Sequence, residues 1–274
     1  MRVLVTGAAS GIGRATCLRL ARDAKAQGRA ARIAAVDMGS SSGGSSSGGP
    51  SPGLDSLVAE LRALGAEALP LHADMSRPEA PARAVGEALS RFGGLDALVS
   101  NAGVNRPGAL MEYALEDWDR MFAVNTRATW LLAKAAYETL KASRGAIVAI
   151  ASMSGSNPHA NLGAYGPSKA ALIMLVRVLA QELGRDGIRV NSVSPGMVRT
   201  GMTAKVYANQ QVVAERDALV PLGRVATPED MADVVAFLLS QDARYINGHD
   251  LVVDGGVAGN FLGRLPGLSQ ITRS

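Results

Sequence analysis

The segment Thr6-Gly7-Ala8-Ala9-Ser10-Gly11-Ile12-Gly13 decides the fold, because it joins an apolar strand predicted at Val3–Val5 to an amphipathic helix predicted at Ile12–Ala26. Glycines in such a turn let the chain reverse sharply and let backbone N–H groups approach a pyrophosphate. The start of the helix adds an electrostatic field that favours an anion. The segment therefore predicts a dinucleotide-binding unit, whose phosphate cradle consists of Gly7, Ser10, Gly11, Ile12 and Gly13.

Strand-like and helix-like segments alternate beyond this unit. The remaining predicted strands are Arg32–Val36, Ala68–His72, Ala97–Ser100, Ala146–Ala151, Arg189–Val193 and Asp250–Val253. The remaining predicted helices are Leu54–Leu64, Glu79–Phe92, Glu116–Lys141, Ala164–Leu183 and Pro228–Leu239. Repeated βα units predict an α/β fold of the Rossmann type, a doubly wound parallel sheet of seven strands with helices on both faces. Since no linker between strands is long enough to divide the chain, we predict a single dinucleotide-binding and catalytic domain over residues 1–274.

Composition excludes several classes of function. The 274 residues are 47% hydrophobic and carry a net charge of +4, and their basic residues do not cluster, so we expect no nucleic-acid partner. No apolar run is long enough to span a membrane, and we expect a cytoplasmic protein. A single cysteine, Cys17, rules out an internal disulfide. His72, His159 and His249 lack the spacing of metal ligands, so we predict no metal site.

A tract of Gly, Ser and Pro, GSSSGGSSSGGPSPG at residues 39–53, interrupts the pattern. Such a composition cannot bury a core, and it predicts a flexible surface loop. The sequence leaves open whether this tract is natural or an engineered insertion.

Asp37 ends the predicted second strand, roughly 20 residues beyond the glycine turn, where a carboxylate can accept hydrogen bonds from both hydroxyls of the adenosine ribose. A carboxylate there repels a 2′-phosphate. Residues Met38 to Leu61 contain no Arg or Lys, and position 10 is Ser rather than a basic residue. We therefore predict NAD as the cofactor in preference to NADP, while Arg14 remains a group that can reach the phosphates.

The segment Tyr165-Gly166-Pro167-Ser168-Lys169 places a phenol and an ammonium on one face of a predicted helix. A free Tyr has a pKa near 10, and both a nearby Lys and a positively charged nicotinamide favour the phenolate. Tyr165 can then act as a base in alcohol oxidation or as an acid in ketone reduction. Ser152 precedes Tyr165 and can hold the reacting oxygen, while Asn125 can bind a water molecule or bend its helix through a backbone contact.

These motifs in this order resemble the short-chain dehydrogenase/reductase family, in its compact single-domain form. The matching segments cover about residues 2 to 256, and they are TGAASGIG at Thr6–Gly13, Asp74–Met75, SNAG at Ser100–Gly103, Asn125, Ser152, YGPSK at Tyr165–Lys169, RVNSVSPGMVRT at Arg189–Thr200 and DGG at Asp254–Gly256. Ser100 departs from the family's usual Asn, and we expect little effect.

The resemblance implies roles for individual residues. The catalytic tetrad of the family falls on Asn125, Ser152, Tyr165 and Lys169. Asp74 and Met75 are implied to contact the adenine, and Asn101 and Gly103, with Ala102 between them, to line the adenosine side. Lys169 is also implied to hold the nicotinamide ribose. The nicotinamide carboxamide is implied to be framed by Pro195, Gly196, Val198 and Thr200.

Three variable segments are expected to contact the substrate, namely residues 104–110, residues 153–162 and a lid at residues 201–217. The lid is apolar, which favours a neutral alcohol or ketone. By the same resemblance, residues 257–274 form a C-terminal extension that packs on a neighbouring subunit of a homotetramer or homodimer. We predict an NAD-dependent oxidoreductase that interconverts a secondary alcohol and a ketone. The alternatives are another reaction on this fold, such as epimerisation, dehydration or enoyl reduction, and a non-catalytic NAD-binding protein.

Overall fold

The computed structural model describes residues 1–38, 53–203 and 206–260. Of the predicted Gly/Ser-rich loop, all but Gly53 lies outside the described residues. The same holds for residues 204–205 of the predicted lid and for residues 261–274 of the predicted C-terminal extension.

Seven parallel strands form one sheet, as predicted. They are β1 (Arg2–Thr6), β2 (Arg32–Asp37), β3 (Glu67–His72), β4 (Ala97–Ser100), β5 (Ala146–Ile150), β6 (Arg189–Pro195) and β7 (Asp250–Val253). Their order in the sheet is β3-β2-β1-β4-β5-β6-β7, and every neighbouring pair is parallel. The winding direction reverses between β1 and β4. A sheet of this kind has its ligand crevice at the carboxyl ends of the strands beside such a reversal.

Helices cover both faces of the sheet. They are α1 (Gly11–Ala26), α2 (Leu54–Ala63), α3 (Ala80–Phe92), α4 (Leu115–Phe122), α5 (Ala128–Ser143), α6 (Tyr165–Leu183), α7 (Gln210–Leu219) and α8 (Pro228–Leu239). Alternate residues of each strand point to opposite faces. In β1, Leu4 packs in a core with α3, α5 and α6, while Val3 and Val5 pack in a second core with α1, α2 and α8. The two cores fix the sheet, and with it the position of the crevice.

The prediction of one continuous helix over Glu116–Lys141 is wrong, because the structure divides this range into two helices. A single turn of π-helix, Ala123–Arg127, separates α4 from α5. Asn125 lies in this turn, and its side chain bonds to the backbone of Val104. Such turns form where tertiary contacts displace the regular helical hydrogen bonds, and they are frequent at functional sites. This bend is one of the two roles that the sequence left open for Asn125.

The segment predicted as a lid, residues 201–217, contains most of α7, which the sequence pattern did not predict. Among the described residues, no helix combines the length and the apolar composition needed to cross a membrane.

Candidate active site

Asn101, which follows β4, holds the glycine turn by hydrogen bonds. The Asn101 side-chain amide donates to the carbonyl oxygens of Thr6, at 2.9 Å, and Gly7, at 3.0 Å. Gly7 has a φ of +64°, and a Cβ at Gly13 would lie 2.2 Å from the Gly7 carbonyl oxygen. A larger residue at Gly13 would therefore push α1 away from the turn, and one at Gly7 would also collide with Asn101 and Ala102 after β4.

The N-terminus of α1 faces the crevice without a side-chain cap. Ser10 occupies the N-cap position, yet its hydroxyl makes no capping hydrogen bond, and the first turn carries no acidic residue. Thr200 lies close by, since a Cβ at Gly11 would be 3.4 Å from its Cγ2 atom. The first N–H groups of a helix need a partner, and together with the dipole of the helix they suit a phosphate. The residues that the sequence assigned to the phosphate cradle thus fit a pyrophosphate.

Asp37 sits beside this cradle at the carboxyl end of β2. One carboxylate oxygen accepts a hydrogen bond from the Ala9 N–H at 2.9 Å, and the other accepts one from the Met38 N–H at 2.8 Å. Each carboxylate oxygen can accept more than one hydrogen bond. Asp37 is therefore oriented by the backbone and still able to accept two ribose hydroxyls.

Asp74 follows β3 on the same side of the crevice, and Met75 after it is buried. Burial opposes ionisation of Asp74, but hydrogen bonds from Ser76 and the positive charge of Arg120 outweigh it and keep the pKa of Asp74 below its ordinary value. The Arg120 Nη1 atom is 4.0 Å from Asp74 Oδ2. Asp74 is therefore an anion held beside a guanidinium.

The other residues assigned to the cofactor lie around β1, β4 and β6. The Thr6 hydroxyl accepts hydrogen bonds from the N–H groups of Asn101 and Ala102, both at 3.0 Å. Pro195 ends β6, and a Cβ at Gly196 would lie 2.6 Å from Asp254 Cβ. Val198 is buried and forms an isolated bridge with Ala226. These contacts bring the segments together at the carboxyl edge of the sheet.

Ser152, Tyr165 and Lys169 converge beside β5. Ser152 follows the strand and is buried, while Tyr165 is the first residue of α6. The Lys169 side chain is also buried, its Nζ atom donating to the Ile150 carbonyl oxygen at 2.7 Å and lying 5.9 Å from the centre of the Tyr165 ring. Burial lowers the pKa of Lys169 from 10.5 to about 8. The site therefore contains a desolvated ammonium beneath a tyrosine ring.

The pKa of Tyr165 differs from the expectation drawn from the sequence. Burial of the phenol raises its pKa, and a hydrogen bond with Ser152 acts in the opposite direction without cancelling the rise. The sequence predicted that Lys169 lowers this pKa, but the chain's own groups do not produce that result. The sequence analysis named two causes for a lowered pKa, Lys169 and a positively charged nicotinamide. Only the second can still lower the pKa of Tyr165, since it is not part of the chain.

Asn125 joins the site to the rest of the fold. Its amide nitrogen donates to the Val104 carbonyl oxygen and to the Ser168 hydroxyl, both at 3.0 Å, and its oxygen accepts from the Val104 N–H at 2.9 Å. The Ser168 hydroxyl in turn donates to the Tyr165 carbonyl oxygen at 2.8 Å. A single side chain thus links the segment after β4 to the first turn of α6.

Sequence reasoning missed the contacts that three residues, Ser154, Tyr113 and Arg120, make around the site. Ser154 is buried and shares a hydrogen bond of 2.8 Å with His159 Nδ1, while its N–H donates to Ser152 Oγ at 3.2 Å. The ring of Tyr113 packs against Gly163, at which a Cβ would lie 2.1 Å from the ring. Arg120 lies near both Asp74 and Met38. The contacts of Tyr113 and Arg120 join segments that are distant in sequence, and those of Ser154 depend on the conformation of its loop, so no spacing in the sequence signals them.

Comparison with known proteins agrees with this geometry. A family model described as Enoyl-(Acyl carrier protein) reductase matches residues 7–258. The (3R)-3-hydroxyacyl-CoA dehydrogenase of Mus musculus is 41% identical over 258 residues, which cover 93% of this chain and 95% of that protein. The cyclopentanol dehydrogenase of Comamonas testosteroni is 36% identical over 94% of this chain and 97% of its own length.

Solved structures show the same likeness. A short-chain type dehydrogenase/reductase from Mycobacterium marinum superposes with a TM-score of 0.81 at 31% identity, covering 93% of this chain and 94% of that one. The sheet order, the glycine turn and the Ser-Tyr-Lys arrangement are thus accompanied by similarity over nearly the whole chain. The chain belongs to the short-chain dehydrogenase/reductase family.

Proposed function

We propose that this oxidoreductase is NAD-dependent and interconverts a secondary alcohol and a ketone, with Tyr165 as the general acid and base. The observation that carries the proposal is the convergence of Ser152, Tyr165 and Lys169 beside the crevice, with Lys169 buried. A buried lysine whose pKa is lowered is costly to a fold and marks a functional position. A protein that only bound a dinucleotide would have no need for Tyr165 and Lys169 together.

Each side chain has a part in the reaction. Ser152 orients the substrate oxygen, and Tyr165 takes the hydroxyl proton in oxidation or returns it in reduction. Lys169 is placed to hold the ribose next to the nicotinamide and to bring positive charge under the phenol. Asn125 positions the start of α6 and is the proposed site of a relay water. When bound, the dinucleotide supplies the hydride acceptor in oxidation and the hydride donor in reduction.

The preference for NAD rests on Asp37. Its carboxylate is fixed by the N–H groups of Ala9 and Met38 at the carboxyl end of β2, where we propose that the adenosine ribose binds. It would accept hydrogen bonds from two ribose hydroxyls and repel a phosphate in place of one of them. We further propose that a single domain carries both cofactor and chemistry, and that it assembles as a homotetramer or homodimer.

The relatives support a secondary alcohol as the substrate class. Both a 3-hydroxyacyl thioester and cyclopentanol, as named for the two dehydrogenases above, carry their hydroxyl on a secondary carbon. We therefore propose a small molecule with a secondary hydroxyl, or the corresponding ketone. A hydroxyacyl thioester and a cyclic alcohol are the first two compounds to assay.

Enoyl reduction is the second candidate, because the description of the matching family model names it. It reduces a carbon–carbon double bond and leaves no new hydroxyl group. The one-turn spacing of Tyr165 and Lys169 favours the alcohol reaction, since enoyl reductases usually space this pair more widely. Product analysis separates the two reactions, and it also identifies an epimerase or a dehydratase because neither gives net oxidation or reduction of the cofactor.

The test is a panel of secondary alcohols and ketones with NAD and NADP in parallel, monitored by the absorbance of the reduced cofactor. We expect turnover with NAD, and none when Tyr165→Phe replaces the wild type although NAD still binds. Tyr137→Phe, at a distant position on α5, is the matched control and should retain turnover. Retained turnover in Tyr165→Phe would refute the assignment.

A further inference from the structure

An arginine from outside the family's motifs borders the adenosine side of the crevice. Arg120 lies on α4, and its Nη2 atom is 3.8 Å from the Met38 sulfur, while Nη1 is 4.0 Å from Asp74 Oδ2. Met38 directly follows Asp37, so the guanidinium spans the opening between the carboxyl ends of β2 and β3. All three side chains keep part of their surface open to solvent, with Arg120 exposed at 48%. They form the outer rim of a site that is open to a ligand.

The proximity of Arg120 to Asp37 indicates which part of a bound dinucleotide would lie under the guanidinium. If the Asp37 carboxylate holds the adenosine ribose, as we propose, then the attached base extends past Met38 into the space that Asp74 and Arg120 border. A guanidinium is planar and always charged, and it stacks on aromatic ring systems, including nucleic-acid bases. Its chemistry therefore suits an adenine ring.

A 2′-phosphate is the other group that an arginine here can attract. Two features argue against it, namely the Asp37 carboxylate, which we propose to bind the ribose hydroxyls, and Asp74, which already offsets the charge of Arg120. Asp74 is already paired with positive charge from Arg120 and Arg77, so Asp37 is the carboxylate left to act on a group at the ribose. The Asp37 carboxylate would repel an added dianion, whereas a neutral base meets no such repulsion.

From this arrangement we infer that Arg120 is an adenine-binding residue, and that its guanidinium stacks on the outer face of the ring and closes the pocket between Met38 and Asp74. This inference rests on the proposed dinucleotide function and adds a binding residue that the motifs do not contain. It also explains why a half-exposed arginine is held by contacts to two segments that lead out of neighbouring strands.

The test measures binding of ADP-ribose to the purified protein by calorimetry, and so it does not depend on turnover. We expect Arg120→Met to weaken ADP-ribose about tenfold, the effect of losing one stacking contact of roughly 1.4 kcal/mol. Arg120→Lys should weaken it to a similar extent, because an ammonium keeps the charge but lacks the plane. Binding of nicotinamide mononucleotide, which has no adenine, should stay unchanged in both variants.

Two control variants separate stacking from indirect effects. Arg77→Met removes another charge that acts on Asp74, and Arg127→Met removes the hydrogen bond of 2.6 Å from Arg127 to the Ser76 carbonyl oxygen in the same segment. Both should bind ADP-ribose as the wild type does. A loss in either control equal to that of Arg120→Met would overturn the inference, because the arginine would then act only through charge or through the position of the segment.

Two further results would also overturn it. One is unchanged binding of ADP-ribose in Arg120→Met or in Arg120→Lys. The other is a loss of 2′-phospho-ADP-ribose binding in Arg120→Met that greatly exceeds the loss for ADP-ribose, which would make Arg120 a phosphate ligand. If the wild type itself fails to bind ADP-ribose, the proposed dinucleotide function fails as well, so the two failures are distinguishable.

Discussion

Replacing Lys169 by methionine should raise the free energy of unfolding relative to the wild type more at neutral pH than in alkali. The pKa of Lys169 falls from 10.5 to about 8 on burial. Since each pKa unit corresponds to about 1.4 kcal/mol, the buried ammonium costs about 3 kcal/mol of folding free energy at neutral pH. Between about pH 8 and the unfolded pKa of 10.5, the unfolded chain binds more protons than the folded one. The stability contributed by this residue therefore rises with pH across that window.

The assay is denaturant unfolding of the wild type and of Lys169→Met at several pH values, without cofactor and at one fixed protein concentration. The variant loses the hydrogen bond to Ile150, which shifts its stability by a similar amount at every pH at which the wild-type lysine is charged. The quantity that tests the reasoning is the change with pH. The free energy of unfolding of the variant minus that of the wild type should fall by about 3 kcal/mol from about pH 7 to about pH 10.5.

Lys25→Met is the matched control, because it replaces an exposed lysine of α1 in place of a buried one. A difference for Lys169→Met that changes with pH no more than that of Lys25→Met would refute the reasoning. It would mean that water or a counter-charge reaches the ammonium in the folded protein.

Three further predictions concern the cofactor site and its support. Asp37→Ala should weaken NAD by about tenfold or more and NADP by less, because hydrogen bonds to a charged group contribute about 1.5–3 kcal/mol. Parallel calorimetric titrations check this, with the exposed Asp55→Ala as control, and an unchanged ratio of the two affinities would contradict it. Gly13→Ala should lower NAD affinity and thermal stability together, since its Cβ would lie 2.2 Å from a backbone oxygen, and wild-type values for both would count against the described turn. Asn125→Ala should lower the free energy of unfolding by about 2 kcal/mol, because the backbone groups of the half-buried Val104 and the hydroxyl of the buried Ser168 lose their partner. Denaturant unfolding measures that loss, and wild-type stability would disprove the linking role of Asn125.

The sheet could be predicted from the sequence because its strands are short apolar runs bounded by turns. The predicted bounds of β4 and β7 are those of the structure, and so are those of α8. A buried parallel strand shows its apolar run whatever its neighbours are. For the same reason the glycine turn and the end of β2 could be assigned to cofactor binding from their local context alone.

The π-helical turn at Asn125 could not be predicted, because its cause is tertiary. The residues around it form a regular helical pattern, and the break depends on Val104 and Ser168, which approach only in the folded chain. Helix α7 was missed for another reason. Its apolar residues do not gather on one face, so its sequence shows little of the periodicity that indicates a helix.

The electrostatics of the site also lay beyond the sequence. The spacing of Tyr165 and Lys169 predicted their proximity, and the structure confirms that Nζ lies below the ring. The sequence did not reveal that Lys169 is buried against Ile150 or that burial raises the pKa of Tyr165. Desolvation depends on everything packed around a group, whereas spacing along one helix reports a single neighbour.

The measurement that tests the central claim most directly is a single-turnover experiment with the best alcohol from the panel, comparing the wild type with Tyr165→Phe at saturating NAD. The wild type should form reduced cofactor in a single rapid phase. In the variant we expect a rate lower by at least about 100-fold, the usual contribution of a positioned acid or base, with the Kd for NAD unchanged. Reduction of the cofactor at the wild-type rate in Tyr165→Phe would contradict the assignment of Tyr165 as the residue that transfers the proton.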